Sequence, residues 1–183
     1  GSGGLGSGFA ALGNDYTGID IDYRVVDEGQ RNGVNVHLLD VMNLRMSETF
    51  DVIFFTQVLE HIIEPRTFLA KVRKHLRPGG ILHIDVPNQR TRAGWRSVAL
   101  GGSGARWGAI EYPHHCMSYS EGSLSRALAQ LPSLTSQVFG ATCDYDVWGQ
   151  ATEPSLVDRA FYRASAALKS ESLLVAVGRA GRT

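Results

Sequence analysis

The feature that most constrains the fold is a pair of apolar runs separated by a helical pattern, over residues 50–88. The first run, residues 52–55, lacks polar alternation, which is typical of a strand in a parallel sheet covered on both faces. Pro65 suits the first turn of a helix, and the apolar positions from Phe68 onward fall on one helix face. Residues 81–86 predict a second strand. The pattern therefore predicts a βαβ unit with a right-handed connection.

Two short motifs in this stretch, VLEHI at residues 58–62 and PGG at residues 78–80, resemble the class I S-adenosylmethionine-dependent methyltransferases. Residues 58–62 read VLEHI, as in the group that carries this loop after its fourth strand. Residues 78–80 read PGG and match the turn before the fifth strand; here they are predicted to stop the helix and form that turn. The resemblance covers nearly the whole chain and implies an α/β fold. The expected architecture is a Rossmann-like, doubly wound, seven-stranded sheet, mostly parallel with an antiparallel last strand.

The start of the chain resembles the glycine-rich cofactor loop of this family. Gly1, Gly3 and Gly6 have GxGxxG spacing, and glycines let the backbone approach a ligand closely. Asp20 ends a predicted strand about 20 residues downstream, the spacing at which a carboxylate meets a ribose diol. The alternatives are a flexible linker for the glycine run, and Asp22 or an exposed turn for the acid. The family match predicts S-adenosylmethionine as the cofactor.

An apolar strand normally precedes this loop and lies in the middle of the sheet, yet the sequence begins at the glycines. A sheet without its central strand would leave two rows of backbone donors and acceptors unpaired. We therefore expect a single methyltransferase domain over residues 1–183 that is N-terminally incomplete, with its first strand missing from the sequence.

Further cofactor contacts are expected at the ends of predicted strands. The resemblance implies that Asp40 accepts a hydrogen bond from the adenine amino group, with Ile21 and Val41 against the ring. The alternative for Asp40 is a cap or loop residue after a strand. Thr56 and Gln57 follow the strand of residues 52–55, at the edge where α/β folds bind ligands, and are predicted to line the same pocket.

Composition excludes several classes of protein. Hydrophobic residues make up 43% of the 183, and the 18 basic side chains equal the 18 acidic ones, so overall charge indicates neither nucleic acid nor an anionic surface as a partner. No apolar run approaches the roughly 20 residues of a membrane span. No signal peptide is visible, and two distant cysteines indicate neither a disulfide framework nor a zinc motif. A cytoplasmic protein is expected.

Residues 89–119 resemble the variable insert that this family places over the acceptor. The segment is basic, aromatic and rich in glycine, which suits an anionic acceptor such as a nucleotide-linked sugar or a phosphorylated glycan precursor. The alternative is a solvated loop whose arginines contact only water. The basic residues in question are Arg90, Arg92, Arg96 and Arg106.

The later elements complete the expected fold. Ser120 is predicted to cap a helix, and residues 136–148 and 172–178 are predicted to form the last two, antiparallel strands. Residues 155–169 predict a helix that is either a connector or part of a homodimer contact.

Histidines are the candidates for the catalytic base, because their unperturbed pKa lies near neutrality. They are His61, after the strand, and His114 or His115, from the acceptor side. The alternatives are structural roles in the cofactor pocket or in packing. A metal site can be drawn from Glu60, His61, Glu111 and His114, but the spacing is not diagnostic, and no metal is expected.

These observations predict methyl transfer to a small-molecule or glycan-precursor acceptor, most simply at oxygen. A non-catalytic domain that only binds a partner or the cofactor is one alternative. A nicotinamide-dependent oxidoreductase is another: it would share the glycine run and Asp20, but it would not explain Asp40 or the VLEHI loop.

Overall fold

A computed structural model of the chain describes residues 4–45, 47–89, 114–141 and 173–181. The chain divides into two compact units, residues 1–48 and residues 49–183. Most of the expected acceptor insert and the helix expected over residues 155–169 lie outside the described residues. Within the described ranges, no helix combines the length and apolar character needed to cross a membrane.

The first unit contains two helices and a two-stranded parallel sheet. Strand β1 (Gly18–Asp20) pairs with strand β2 (Val36–Leu38), with Gly18 opposite Val36 and Asp20 opposite Leu38. Asp22 caps the second helix, because its side chain accepts a hydrogen bond from the Arg24 amide. The elements are α1 (Gly4–Ala11), β1 (Gly18–Asp20), α2 (Tyr23–Arg31) and β2 (Val36–Leu38).

Gly6 lies in helix α1 and not in the predicted loop, while its contact with the cofactor remains a prediction. The chain is helical from Gly4, and Gly6 is buried within α1. A Cβ atom at Gly6 would lie 2.2 Å from the Tyr16 ring. Close packing against this ring therefore accounts for glycine at position 6. Gly1 and Gly3 lie outside the described residues.

The second unit contains a four-stranded mixed sheet in the order β3 (Phe50–Thr56), β4 (Leu76–Pro87), β6 (Leu173–Ala180) and β5 (Leu134–Ala141). Strands β3 and β4 are parallel, and β6 is antiparallel to both of its neighbours. The predicted βαβ unit and antiparallel final pair are confirmed. The described strands form sheets of two and four, so seven strands remain a prediction. The elements are β3 (Phe50–Thr56), α3 (Pro65–His75), β4 (Leu76–Pro87), α4 (Glu121–Ala129), β5 (Leu134–Ala141) and β6 (Leu173–Ala180).

The PGG segment is not the turn that was predicted before the second strand. Strand β4 begins at Leu76, directly after α3, and continues through the two glycines. Its pairing with β3 shifts between Phe50 and Val52. Gly79 has a φ of 80°, which favours glycine, and a Cβ at Gly80 would lie 2.9 Å from backbone oxygens. The glycines thus accommodate an irregularity within the strand.

The described core of this unit lies on alternate residues of β4 and on one face of each helix. Ser120 caps α4 through a capping box with Ser123, as predicted for its N-cap. Burying each large apolar side chain contributes about 1.5–3 kcal/mol. This packing holds the carboxyl ends of β3 and β4, from which the candidate site extends. The buried residues are Phe68, Leu69 and Val72 on α3, Leu82, Ile84 and Val86 on β4, and Leu124 and Leu128 on α4.

Candidate functional site

In the first unit, two carboxylates lie at the same edge of the parallel sheet. Asp20 is the last residue of β1, and Asp40 follows the end of the neighbouring β2. Asp20 Oδ1 accepts a hydrogen bond of 2.9 Å from the Asp22 amide, and Asp40 Oδ1 accepts one of 2.9 Å from the Met42 amide. Asp40 therefore does act as a cap, the alternative considered for it, while its adenine contact remains a prediction.

Apolar side chains lie exposed beside these carboxylates. Ile21 is 77% exposed, Leu38 57% and Met42 43%, whereas Val41 is half-buried. Exposed aliphatic groups next to a carboxylate provide a surface for a flat ring that also carries a hydrogen-bond donor. The arrangement is compatible with the adenine contact predicted for Ile21 and Val41.

In the second unit, Gln57 is held to strand β4 at the carboxyl edge of the sheet. It adopts a φ of 51°, an uncommon conformation for a residue with a side chain. Two hydrogen bonds to Asp85 stabilise it: its amide donates to the Asp85 carbonyl at 3.1 Å, and its Nε2 donates to Asp85 Oδ1 at 2.8 Å. Thr56 ends β3 and is exposed. The role of Asp85 was missed, since nothing in its own segment indicates a partner 28 residues away.

The VLEHI loop supplies a glutamate and a histidine, and a second histidine, His115, packs beside them from another segment. Residues Leu59–His61 form a 3-10 turn, and His61 Nε2 lies 3.9 Å from Glu60 Oε1. The rings of His61 and His115 meet edge to face, with centroids 4.9 Å apart. The amides of Cys116 and Met117 both donate to the Glu60 carbonyl at 2.9 Å, which fixes the two segments against each other.

The three predicted histidines have different positions in this arrangement. His61 and His115 contribute their rings, as proposed for a base. The His114 side chain is exposed, and it is the His114 carbonyl that contacts His61 Nδ1, at 2.8 Å. Glu111, one of the acids considered for a metal site, lies outside the described residues. The ligand atoms of Glu60, His61 and His115 lie within 4.8 Å of one another, so these three could hold a metal ion.

Glu60 is a buried carboxylate with a perturbed pKa. Its side chain is 1% exposed, and neither carboxylate oxygen accepts a hydrogen bond from another described residue. Burial raises the pKa of Glu60, and the charge of Asp85 adds to this, while the charges of His61 and His115 oppose it. Burial, together with the charge of Glu60, also raises the pKa of Tyr119 to about 12.

Glu60→Gln is expected to gain stability relative to the parent chain as the pH rises, when no metal ion is bound. The folded state holds the Glu60 proton more tightly than the unfolded state. The stability from this group is therefore complete below its ordinary pKa of 4.5 and is lost as the pH rises through the folded value. Residue 60 of the variant cannot ionise. The melting temperature of the variant minus that of the parent should therefore be about 2–4 °C larger at about pH 7 than at about pH 4.

Thermal unfolding in the presence of a chelator measures this difference. Glu64→Gln, at an exposed glutamate four residues along the chain, is the matched control and should follow the parent at both pH values. A constant difference between Glu60→Gln and the parent across the pH range would contradict the expectation.

Residues 1–82 match the family described as a methyltransferase domain. The ubiquinone biosynthesis O-methyltransferase of Maricaulis maris (strain MCS10) is 31% identical over 98 residues, which are 54% of this chain and 33% of that protein. The enzyme of the same name from Parvibaculum lavamentivorans (strain DS-1) is 44% identical over 46 residues, 25% of this chain and 18% of the relative. The chain thus spans about a third of the first relative's length.

Solved methyltransferase structures share the fold. A SAM-dependent methyltransferase from Archaeoglobus fulgidus matches with a TM-score of 0.69 at 15% identity, covering 98% of this chain and 82% of that one. The plantazolicin methyltransferase BpumL, in complex with a triazolic desmethylPZN analog and SAH, matches with a TM-score of 0.64 at 16% identity, covering 100% and 74%.

The fold is that of the Rossmann-like methyltransferases. In sequence, over residues 1–82, and in fold, the chain is similar to the class I S-adenosylmethionine-dependent methyltransferases.

Proposed function

We propose that the chain binds S-adenosylmethionine and transfers its methyl group to an oxygen atom of a small-molecule or glycan-precursor acceptor. The observation that carries this proposal is the placement of Asp20 and Asp40 at the carboxyl ends of neighbouring parallel strands. The first position suits a ribose diol, and the second, beside exposed aliphatic groups, suits adenine. The SAH complex of the plantazolicin methyltransferase supports the same cofactor. The remaining contacts proposed for the cofactor are Gly1, Gly3, Gly6, Ile21, Val41, Thr56 and Gln57.

When bound, the cofactor supplies an activated methyl group. The residues of the chain have to orient the acceptor, exclude water and remove a proton from a hydroxyl acceptor. The His114 carbonyl can only accept, so the Nδ1 of a neutral His61 carries the hydrogen in that contact, and Nε2 has the lone pair. His61 Nε2 is therefore a candidate base, with His115 beside it as the second. Such general-base catalysis is worth about 10²–10⁴-fold in rate.

The proposed acceptor is anionic, and the methyl group is transferred to one of its oxygen atoms. The names of the curated relatives, ubiquinone biosynthesis O-methyltransferases, support transfer to oxygen. The four arginines in residues 89–110 suit phosphate or carboxylate groups. A cytoplasmic location, a single domain, a seven-stranded sheet and a homodimer contact through residues 155–169 belong to the same proposal.

Calorimetric titration of S-adenosylhomocysteine into the chain tests this function, with NADH as the control ligand. Micromolar binding of the first and none of the second is expected. Transfer of an isotope-labelled methyl group to a panel of phosphorylated and unphosphorylated hydroxyl compounds then identifies the acceptor. His61→Gln and His115→Gln should lower the turnover rate more than they weaken cofactor binding.

Two results would contradict the proposal. Binding of NADH alone would favour a nicotinamide-dependent oxidoreductase. Binding of S-adenosylhomocysteine without transfer to any acceptor would favour a non-catalytic domain.

A further inference from the structure

The side chains of Glu60, His61 and His115 meet as a group of hydrogen-bond acceptors. The 3.9 Å between His61 Nε2 and Glu60 Oε1 is too long for a hydrogen bond, and both carboxylate oxygens are buried without a donor from another described residue. The charged form of a carboxylate in such a position is unfavourable, and either a proton or a bound cation compensates for it. The cluster therefore has the electrostatic requirement of a cation site.

The hydrogen bond of His61 prepares the ring to bind a metal. Its Nδ1 donates to the His114 carbonyl at 2.8 Å, so Nε2, the nitrogen that faces Glu60, keeps its lone pair. A metal-binding histidine typically donates its other ring N–H to a carbonyl or carboxylate, which fixes the tautomer and the ring orientation. Backbone hydrogen bonds from Cys116 and Met117 to the Glu60 carbonyl hold the segment of His115 against that of Glu60.

We propose that Glu60, His61 and His115 form a binding site for one divalent transition-metal ion, of the class of Zn²⁺. Their ligand atoms lie within 4.8 Å of one another, and tetrahedral Zn²⁺ requires separations of about 3.3 Å. Binding of the ion therefore requires these ligand atoms to move closer together. Two histidines and one carboxylate are a ligand set that leaves a coordination position open.

The ligand types decide the class of ion. Two imidazole nitrogens favour Zn²⁺ or Co²⁺ over Mg²⁺ and Ca²⁺, which prefer oxygen ligands. The surroundings favour a positive charge as well, because Asp85 adds a negative charge near Glu60. This site differs from the one drawn from the sequence, since His115 is a ligand and His114 supplies only its carbonyl.

A metal in this position would occupy the lone pairs of His61 and His115, so it would replace the histidine base: it would bind the acceptor oxygen at the open coordination position and lower its pKa. That use rests on the proposed function, whereas metal binding itself does not. A chain that binds the metal but transfers no methyl group would therefore contradict the proposed function and leave the site standing.

Titration of Co²⁺ into chelator-treated chain, followed by visible absorption and equilibrium dialysis, tests the site. We expect one Co²⁺ per chain with the intense absorption of low-coordinate cobalt, displaced by Zn²⁺ and not by Mg²⁺. Glu60→Gln, His61→Asn and His115→Asn should each weaken binding at least about tenfold. Zn²⁺ should raise the melting temperature of the parent and leave that of His115→Asn unchanged.

Two variants serve as matched controls. His37→Asn removes an exposed imidazole in the other unit, and Cys116→Ser removes the exposed thiol next to His115; both should bind Co²⁺ like the parent. Circular dichroism reports whether each variant is folded, and His115→Asn decides the question if the buried Glu60 position does not tolerate change. The site is refuted if the folded parent binds no stoichiometric Co²⁺ or Zn²⁺, if it prefers Mg²⁺, if His115→Asn binds as tightly as the parent, or if Cys116→Ser abolishes binding.

Discussion

Replacing Asp20 with alanine is expected to weaken S-adenosylhomocysteine binding about 10–100-fold, the value of one or two hydrogen bonds to a charged group. Asp20 ends strand β1, where a carboxylate can accept hydrogen bonds from both ribose hydroxyls. Asp20→Asn should have an intermediate effect, because its carbonyl can still accept from the Asp22 amide but carries no charge. Calorimetric titration gives the dissociation constants.

Asp22→Asn is the matched control, at the acid considered as the alternative to Asp20. Asp22 caps α2 and pairs with Arg24 at 2.7 Å, and asparagine retains the capping role. Its affinity for S-adenosylhomocysteine should remain within about twofold of the parent value. If Asp22→Asn lost binding and Asp20→Ala retained it, the ribose contact would be assigned to the wrong carboxylate.

Leu59→Ala is expected to destabilise the second unit by about 2–5 kcal/mol, through lost burial and the cavity left behind. Leu59 is completely buried, and its carbonyl lies 3.4 Å from the Tyr119 hydroxyl and accepts the Ile62 amide at 3.3 Å. Because Leu59 anchors the 3-10 turn, its loss should also loosen the adjacent Glu60 and His61. Denaturant unfolding followed by circular dichroism measures the change.

Ile63→Ala controls for the loss of an aliphatic side chain in the same segment. Ile63 is 78% exposed, so its truncation should change stability by less than about 0.5 kcal/mol. Equal losses for the two variants would mean that Leu59 does not anchor the turn as its burial indicates.

The sequence predicted elements where one local rule dominated. Pro65 and the apolar face from Phe68 gave the correct helix, and Ser120 was correctly predicted as a cap. The errors arose where partners distant in sequence decided the conformation. Gly6 packs against Tyr16 within a helix, and the glycines of residues 78–80 lie inside a strand whose pairing with β3 is irregular.

Local periodicity, proline and capping chemistry were enough to predict the strands and helix of the βαβ unit and the Ser120 cap, because these depend on neighbours a few residues apart. The antiparallel final pair and the acids at strand ends were expected from the family resemblance. Only the tertiary structure decided the environment of Glu60. Its burial depends on elements more than 50 residues away, including the segment that supplies His115 and the amides of Cys116 and Met117. The burial of a side chain and the charges around it depend on such groups, which are distant in the sequence. For this reason the sequence alone indicated a glutamate next to a histidine, and the fold made it a candidate metal ligand.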